Sequence, residues 1–144
     1  MDESIVRTTL NTIIDPCSVP AGAPAGIEEM GLVRELEIVD GEDGATIRVT
    51  LRVTEPGCVM GGPFAQEAQK RLTALPGVCR VEVVLDGQSD WTPADMSPGY
   101  RDRLEAIRAL RRRRLAERLG PGAPVRISLP VVTTYHTDMN KRRT

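Results

Sequence analysis

The strongest constraint on the fold is a pair of strand-forming segments joined by a short turn sequence. In the second segment, residues 46–54, apolar and polar side chains alternate, which predicts a strand with one buried face. The linking stretch Asp40–Gly44 reads D-G-E-D-G, and Asp and Gly accept the backbone angles of tight turns. Together with residues 32–39, these segments predict an antiparallel β-hairpin.

Helices are predicted on both sides of the hairpin. Ser4 is expected to cap a first helix that ends at Asp15-Pro16, because the residue before a proline is pushed out of the helical region. A second helix is predicted over Pro63–Leu75, and a third strand over Val78–Leu85. A strand reached through a crossover helix is expected to run parallel to its predecessor. The predicted fold class is α+β: a small three-stranded mixed sheet with helices packed on it, in the order helix–strand–strand–helix–strand.

Charge is distributed unevenly along the chain. Residues 1–97 carry 7 basic and 16 acidic side chains, whereas residues 98–119 carry 8 arginines and 3 acidic side chains. We predict an α+β core domain over residues 1–97. Residues 98–144 are predicted to form an arginine-rich helix and an extended tail that bind a partner or a second copy. For the arginines themselves a solvated face is the first interpretation and docking onto an acidic partner or onto the body of this protein the second, whereas nucleic acid is disfavoured because no aromatic residues interleave with them.

Composition excludes several classes of protein. The sequence contains no apolar run near the roughly 20 residues that a membrane-spanning helix needs. The N-terminal stretch M-D-E-S-I-V-R lacks the basic and apolar regions of a signal peptide, so a cytoplasmic location with reduced thiols is expected. The three cysteines form no C-x-x-C pair, which argues against a disulfide framework and a zinc finger.

Cys58 lies where a strand gives way to a helix, in the stretch T-E-P-G-C-V-M-G-G that runs from residue 54 to residue 62. The N–H groups at a helix N-terminus favour negative charge, so a thiol there is expected to ionise readily and to act as a nucleophile or soft metal ligand. Gly57, Gly61 and Gly62 are predicted to let the backbone approach whatever the sulfur holds. The alternative is that Cys58 fills the turn as a small apolar residue.

The other thiols have different surroundings. Cys79 shares its strand parity with Val81 and Val83, which predicts a core residue, and Cys17 lies in a loop after the first helix. A Cys–His hydrolase lacks its base, because the only histidine, His136, lies in the tail. The chain is therefore expected not to be an enzyme.

Five short motifs follow one another along the chain: Asp15-Pro16, Gly31–Val33, Thr54–Cys58, Pro76–Val78 and Trp91–Ser97. In these motifs the chain resembles the iron–sulfur cluster assembly proteins that include SufT and the PaaD proteins of phenylacetate oxygenase systems. The resemblance covers about residues 4–98 and implies that Cys58 is the reactive cysteine, with Asp15 and Thr54 beside it. It also implies a role in making, carrying or delivering iron–sulfur clusters, through contacts with client metalloproteins or with the cluster assembly machinery.

One departure from the family pattern changes the chemistry of the site. Where the family has a glutamate after Asp-Pro, this chain has Cys17. An iron–sulfur cluster commonly takes four thiolate ligands, so our hypothesis is that Cys17 and Cys58 from two copies in a homodimer bind a cluster transiently. The alternative hypothesis is a client-specific accessory protein for an oxygenase-type metalloenzyme, with no cluster of its own.

Overall fold

A computed structural model describes residues 1–122 of the chain. Within this range it contains a three-stranded sheet and three α-helices, which confirms the predicted α+β class. The predicted extended tail lies outside the described residues. The helices and strands are α1 (Glu3–Asn11), β1 (Val33–Gly41), β2 (Gly44–Leu51), α2 (Gly61–Thr73), β3 (Val78–Leu85) and α3 (Pro98–Leu119).

The sheet has the order β1-β2-β3, with β1 antiparallel and β3 parallel to the central strand β2. Both pairings confirm the predictions from the hairpin sequence and from the crossover helix. Ile47, Val49 and Leu51 of β2 are at most 1% exposed, so the alternating apolar side chains form the buried face.

The apolar core lies between this face and the helices. Helix α2 packs on the sheet, and α1 packs against α2. The buried side chains of each helix are three or four positions apart, so they share one face. Full burial of a large apolar side chain contributes about 1.5–3 kcal/mol. The helical core residues are Val6 and Leu10 of α1 and Phe64, Ala68 and Leu72 of α2.

The opposite face of the sheet carries charged side chains. Arg48 of β2 forms ion pairs with Glu37 of β1 at 3.1 Å and with Glu82 of β3 at 3.2 Å. Water screens exposed ion pairs, so these two add little to stability. They make this face polar and leave the other face to form the core.

Helix α1 is shorter than predicted and has a different cap. The Asp2 carboxylate caps it by accepting a hydrogen bond from the Ser4 N–H at 2.8 Å, so the prediction of Ser4 as the capping residue is wrong. The predicted end at Asp15 is also wrong, because the helix ends at Asn11. The chain then leaves the helix to pair with a later segment, in which the Asp15 N–H donates to the Ala25 carbonyl at 2.8 Å.

Cys79 is exposed, so its prediction as a core residue is wrong. The register between β2 and β3 shifts at this point, because Ala45 pairs with Val78 but Thr46 pairs with Arg80. Cys79 is therefore the extra residue of a β-bulge, which breaks the strict alternation of side chains that the prediction assumed.

Helix α3 joins the core through its first two turns. Ser97 caps this helix, since its hydroxyl accepts a hydrogen bond from the Tyr100 N–H at 3.2 Å. Tyr100 and Leu104 are 2% and 5% exposed, and the Tyr100 hydroxyl donates to the Ala23 carbonyl at 2.9 Å. Later in the helix, Leu115 is 56% exposed. The domain boundary before α3 stays a prediction.

Candidate functional site

The loop between β2 and α2 holds Cys58 in a half-buried position. The Cys58 N–H donates to the Glu55 carbonyl at 3.2 Å, which closes a turn. Gly57 in this turn has φ +74°, a left-handed conformation that glycine adopts without steric cost. Helix α2 begins at Gly61, three residues after Cys58, and the intervening Val59 is 84% exposed. Cys58 therefore lies in an open loop at the junction of strand and helix.

The three glycines around Cys58 have different surroundings. A Cβ atom on Gly61 would lie 3.2 Å from Cγ1 of Val53, so this glycine allows α2 to approach the end of the sheet closely. A Cβ atom on Gly57 or Gly62 would meet nothing within 4 Å. The role of these glycines beside a bound group stays a prediction. The fold alone already explains a glycine at two of the positions, because Gly57 has a positive φ and Gly61 lies close to Val53.

Asp15 begins the short 3-10 turn Pro16–Ser18 that contains Cys17. The Asp15 Oδ1 atom accepts a hydrogen bond from the Cys17 N–H at 3.1 Å. Asp15 is only 3% exposed, and its Oδ2 atom is buried without a hydrogen-bond partner among residues 1–122. Buried carboxylate oxygens are normally paired, because an unpaired one has lost its hydration. The charge of this buried carboxylate is therefore only partly compensated by hydrogen bonds that the described residues supply.

Several negative groups act on the Cys17 thiol. The charge of Asp15 raises the Cys17 pKa most, and burial, a hydrogen bond with Asp15 and the charges of Cys58 and Glu55 raise it further. Cys58 and Cys17 share one neighbourhood, although 41 positions separate them in the sequence, because Thr54 and Glu55 of the Cys58 loop line the same cavity as Cys17 and the Cys58 N–H donates to the Glu55 carbonyl. Cys17 is therefore mostly protonated at neutral pH unless a cation offsets the negative charge.

A cavity of about 250 Å³ lies beside Cys17. Asp15, Cys17 and Thr54 line it, so the structure brings three of the four predicted site residues to one cavity and places Cys58 nearby. Their predicted roles stay predictions. The remaining wall is largely apolar, and most of it comes from distant parts of the sequence: Ala21, Met30, Trp91, Met96, Tyr100 and Leu104.

A set of polar contacts fixes Trp91 in this wall. The Trp91 Nε1–H donates to the Met30 carbonyl at 2.8 Å. Arg52 at the end of β2 is only 12% exposed and pairs with Asp95 at 2.9 Å, which ties the segment after Trp91 to the sheet. Gly31 lies beneath this segment, with φ +71°, where an added Cβ atom would come within 2.1 Å of the Asp95 carbonyl oxygen. Hydrophobic periodicity does not predict this wall, because loops form most of it.

The described part of one chain does not bring together a complete set of protein ligands for a metal. Among residues 1–122, no three His, Cys, Asp or Glu side chains are grouped so that they could hold a metal ion. Two neighbouring thiols, Cys17 and Cys58, are the soft ligands that the described residues supply at this site. In the same range, no helix has the length and apolar character that crossing a membrane requires.

The fold and this site define a small α+β domain that presents a cysteine in the loop between its central strand and the helix packed on the sheet. Residues 3–83, more than half of the chain, match the sequence model of a family described as iron–sulfur cluster assembly protein. The chain therefore belongs to the iron–sulfur cluster assembly protein family. This confirms the resemblance that the five motifs indicate.

Two similar proteins carry names that describe a role with iron–sulfur clusters. The chain is 31% identical over 88 residues to an iron–sulfur cluster carrier protein of Mycobacterium leprae, a match that covers 61% of this chain and 21% of that protein. It therefore spans about a fifth of that relative's length. It is 27% identical over 96 residues to an Fe-S protein maturation auxiliary factor of Porphyromonas gingivalis, which covers 67% of this chain and 83% of that protein.

Two solved structures share the fold. A domain of unknown function from Bacillus anthracis superimposes with a TM-score of 0.57 and 27% identity, covering 72% of this chain and 91% of that one. A conserved hypothetical protein from Thermotoga maritima gives a TM-score of 0.54 and 27% identity, covering 72% of this chain and 93% of that one. Both agree with the mixed three-stranded architecture described above.

Proposed function

We propose that this protein helps to assemble, carry or deliver iron–sulfur clusters, and that Cys58 is the thiol that contacts the cluster. The observation that carries the proposal is the position of Cys58 in an open loop, close to a second thiol, in a member of the iron–sulfur cluster assembly family. The relatives named as a cluster carrier and as a maturation factor support the same role.

The incomplete ligand set favours cargo that is passed on over a permanent cofactor. An iron–sulfur cluster usually takes four thiolates, whereas the described residues offer two neighbouring ones here. The other ligands must come from a second copy of this chain or from a client metalloprotein. A two-fold dimer that contributes Cys17 and Cys58 from each copy supplies four.

The proposal is tested by anaerobic reconstitution with iron and sulfide. Wild type is compared with the variants Cys58→Ser, Cys17→Ser and Cys79→Ser, and iron, acid-labile sulfide and the visible absorbance of the cluster are measured. Cys79→Ser is the matched control, because Cys79 is exposed like Cys17 but contacts Thr46, about five residues or roughly 17 Å of strand before β2 ends and the Cys58 loop begins. We expect loss of the cluster in Cys58→Ser, partial loss in Cys17→Ser and a normal cluster in Cys79→Ser.

Two results contradict parts of the proposal. If the Cys58→Ser variant binds as much iron and sulfide as wild type, Cys58 is not a ligand of the cluster. If no variant and no wild-type sample binds a cluster, while a client metalloprotein is still captured, the accessory role without a cluster replaces the carrier role. Sedimentation of the loaded protein separates the dimer from a complex in which one 15.7-kDa chain binds the cluster with other ligands.

A further inference from the structure

We propose that the cavity beside Cys17 receives a basic side chain, an arginine or a lysine, from a partner protein. The inference deepens the proposed function, because it assigns a chemical feature to the partner that meets the thiol site. It stands on the buried carboxylate of Asp15, on the mixed lining of the cavity and on the net negative charge of residues 1–122.

The unpaired oxygen of Asp15 is the first observation. Asp15 lines the cavity, is 97% buried and has an Oδ2 atom without a partner among residues 1–122. A charged group buried in this way is strongly destabilising unless a donor or an opposite charge compensates it. A guanidinium or ammonium group in the cavity offsets that negative charge across the short distance to the buried carboxylate. Glu55, which also lines the cavity, adds a second negative charge for the same group.

The apolar wall is the second observation. Met30, Trp91 and Leu104 line the cavity with Asp15, so its occupant needs an apolar body as well as a positive head. Arginine and lysine have this construction, since their methylene stems pack on apolar surface while the head stays in a polar environment. The volume of about 250 Å³ is below the range of roughly 300–1,000 Å³ that drug-sized ligands occupy, and suits a single side chain.

Charge complementarity argues for a protein partner with a basic segment. Residues 1–122 carry 19 acidic and 15 basic side chains, a net negative charge that favours positively charged partners, and the cavity is lined by two carboxylates, Asp15 and Glu55, and one cation, Arg108. Delivery of a cluster adds a further reason. A cluster held by thiolates brings more negative charge to a site that already holds Asp15 and Glu55, and a basic side chain at this position offsets that charge.

The test uses the full-length chain without a cluster, in the presence of a chelator. The probe is the acetylated, amidated tripeptide Gly-Arg-Gly, and the matched control probes replace arginine with its neutral isostere citrulline or with norleucine. The fluorescence of Trp91 reports binding, because it is the only tryptophan in the chain and it lines the cavity. We expect saturable binding of the arginine peptide and an affinity at least about tenfold lower for the citrulline peptide.

Variants locate the interaction. Asp15→Asn and Glu55→Gln are expected to weaken arginine binding, the first to the level of the citrulline peptide. Arg108→Gln removes a positive charge from the cavity lining and is expected to strengthen binding severalfold. Glu82→Gln is the control, because Glu82 lies on the polar face of the sheet, where it pairs with Arg48. Far-UV circular dichroism checks that each variant is folded. If Asp15→Asn does not fold, Glu55→Gln alone tests whether a carboxylate of the cavity binds the arginine.

Three outcomes overturn the proposal: equal affinity for the arginine and citrulline peptides, unchanged binding in both Asp15→Asn and Glu55→Gln, or no saturable response of the full-length chain. The last outcome includes the case in which a metal ion, a second copy or residues 123–144 occupy the cavity. Because no cluster is present in this experiment, its failure leaves the reconstitution result intact, and failure of reconstitution leaves this binding result intact.

Discussion

The Asp15 carboxylate accepts a hydrogen bond from the Cys17 N–H at 3.1 Å, and its charge is the largest cause of the raised pKa of the Cys17 thiol. One side chain therefore both shapes the turn and keeps the thiol protonated. A cation beside the two residues reverses this effect, because it stabilises the thiolate and the carboxylate together.

Replacing Asp15 with asparagine is expected to speed the alkylation of Cys17 by iodoacetamide near neutral pH. The thiolate is the reactive form, and removal of the carboxylate charge lowers the pKa of the thiol. The asparagine oxygen can still accept the Cys17 N–H, so the turn is kept. Peptide mass spectrometry over time measures the rate for each cysteine. Cys79 in the same molecule is the internal reference, and an unchanged ratio of the two rates contradicts the prediction.

Stability is expected to fall as the pH drops below about 4. The carboxyl pKa values of Asp95 and Glu29 are lowered in the folded chain, Asp95 by the Thr92 backbone N–H and then by Arg52, Glu29 by Arg103. A lowered folded pKa stabilises the fold above the unfolded value, and this contribution disappears as the pH falls towards the folded value. Urea unfolding measured between neutral pH and pH 3 tests this.

The matched variant for the pH prediction is Arg103→Gln. It removes the partner of Glu29, whose carboxylate lies 3.1 Å from the guanidinium. We expect this variant to lose less stability than wild type on acidification, because the Glu29 pKa moves back towards its ordinary value. An acid profile that is steeper than that of wild type speaks against this assignment.

Gly31→Ala is expected to destabilise the fold, because it adds a clash with the Asp95 carbonyl to the strain of a positive φ. The strain alone costs about 1–3 kcal/mol, so the total loss of stability is expected to be larger than that. Gly62→Ala is the control, since its Cβ atom meets nothing within 4 Å and alanine favours a helix by about 0.5–1 kcal/mol. Chemical unfolding of both variants gives the comparison. If Gly62→Ala is stable but fails in cluster reconstitution, the predicted role of Gly62 beside the cluster gains support.

Leu104→Ala is expected to cost about 2–5 kcal/mol, because Leu104 is 5% exposed in the core cluster. Leu115→Ala, eleven residues later in the same helix and 56% exposed at that position, is expected to change stability by about 0.5 kcal/mol or less. Thermal unfolding of the two variants tests whether α3 belongs to the core domain. Equal, small losses favour a boundary before α3, as the sequence predicts.

Local patterns were sufficient to predict the hairpin and the central strand. The alternation of Ile47, Val49 and Leu51 depends on neighbours two positions apart, and the turn depends on Asp and Gly within five residues. The parallel pairing of β3 follows from the length of the α2 crossover. These features are visible in a sequence because each is decided within about 30 residues.

Features that depend on contacts between distant parts of the sequence were not predicted. Helix α1 ends at Asn11, and the chain beyond it pairs with a later segment through Asp15 and Ala25. No residue near Asn11 indicates that pairing in the sequence. The bulge at Cys79 depends on how β3 is aligned with β2, so parity alone gives the wrong face. The cavity wall depends on Trp91 reaching the Met30 carbonyl from 61 positions away. The prediction that Asp15 lies near Cys58 came from a family resemblance and not from any periodic pattern.

The bulge at Cys79 also affects how the molecule behaves in a crowded solution. In the described part of the chain, β3 is one of the two edge strands of the sheet, opposite β1, and its Val84 and Leu85 are 42% and 45% exposed. Regular outer strands recruit strands from other chains, whereas an irregular one offers a poor template. Disrupting the start of β3 in this way is expected to discourage edge-to-edge aggregation, which would otherwise compete with the encounters that a carrier of reactive cargo depends on.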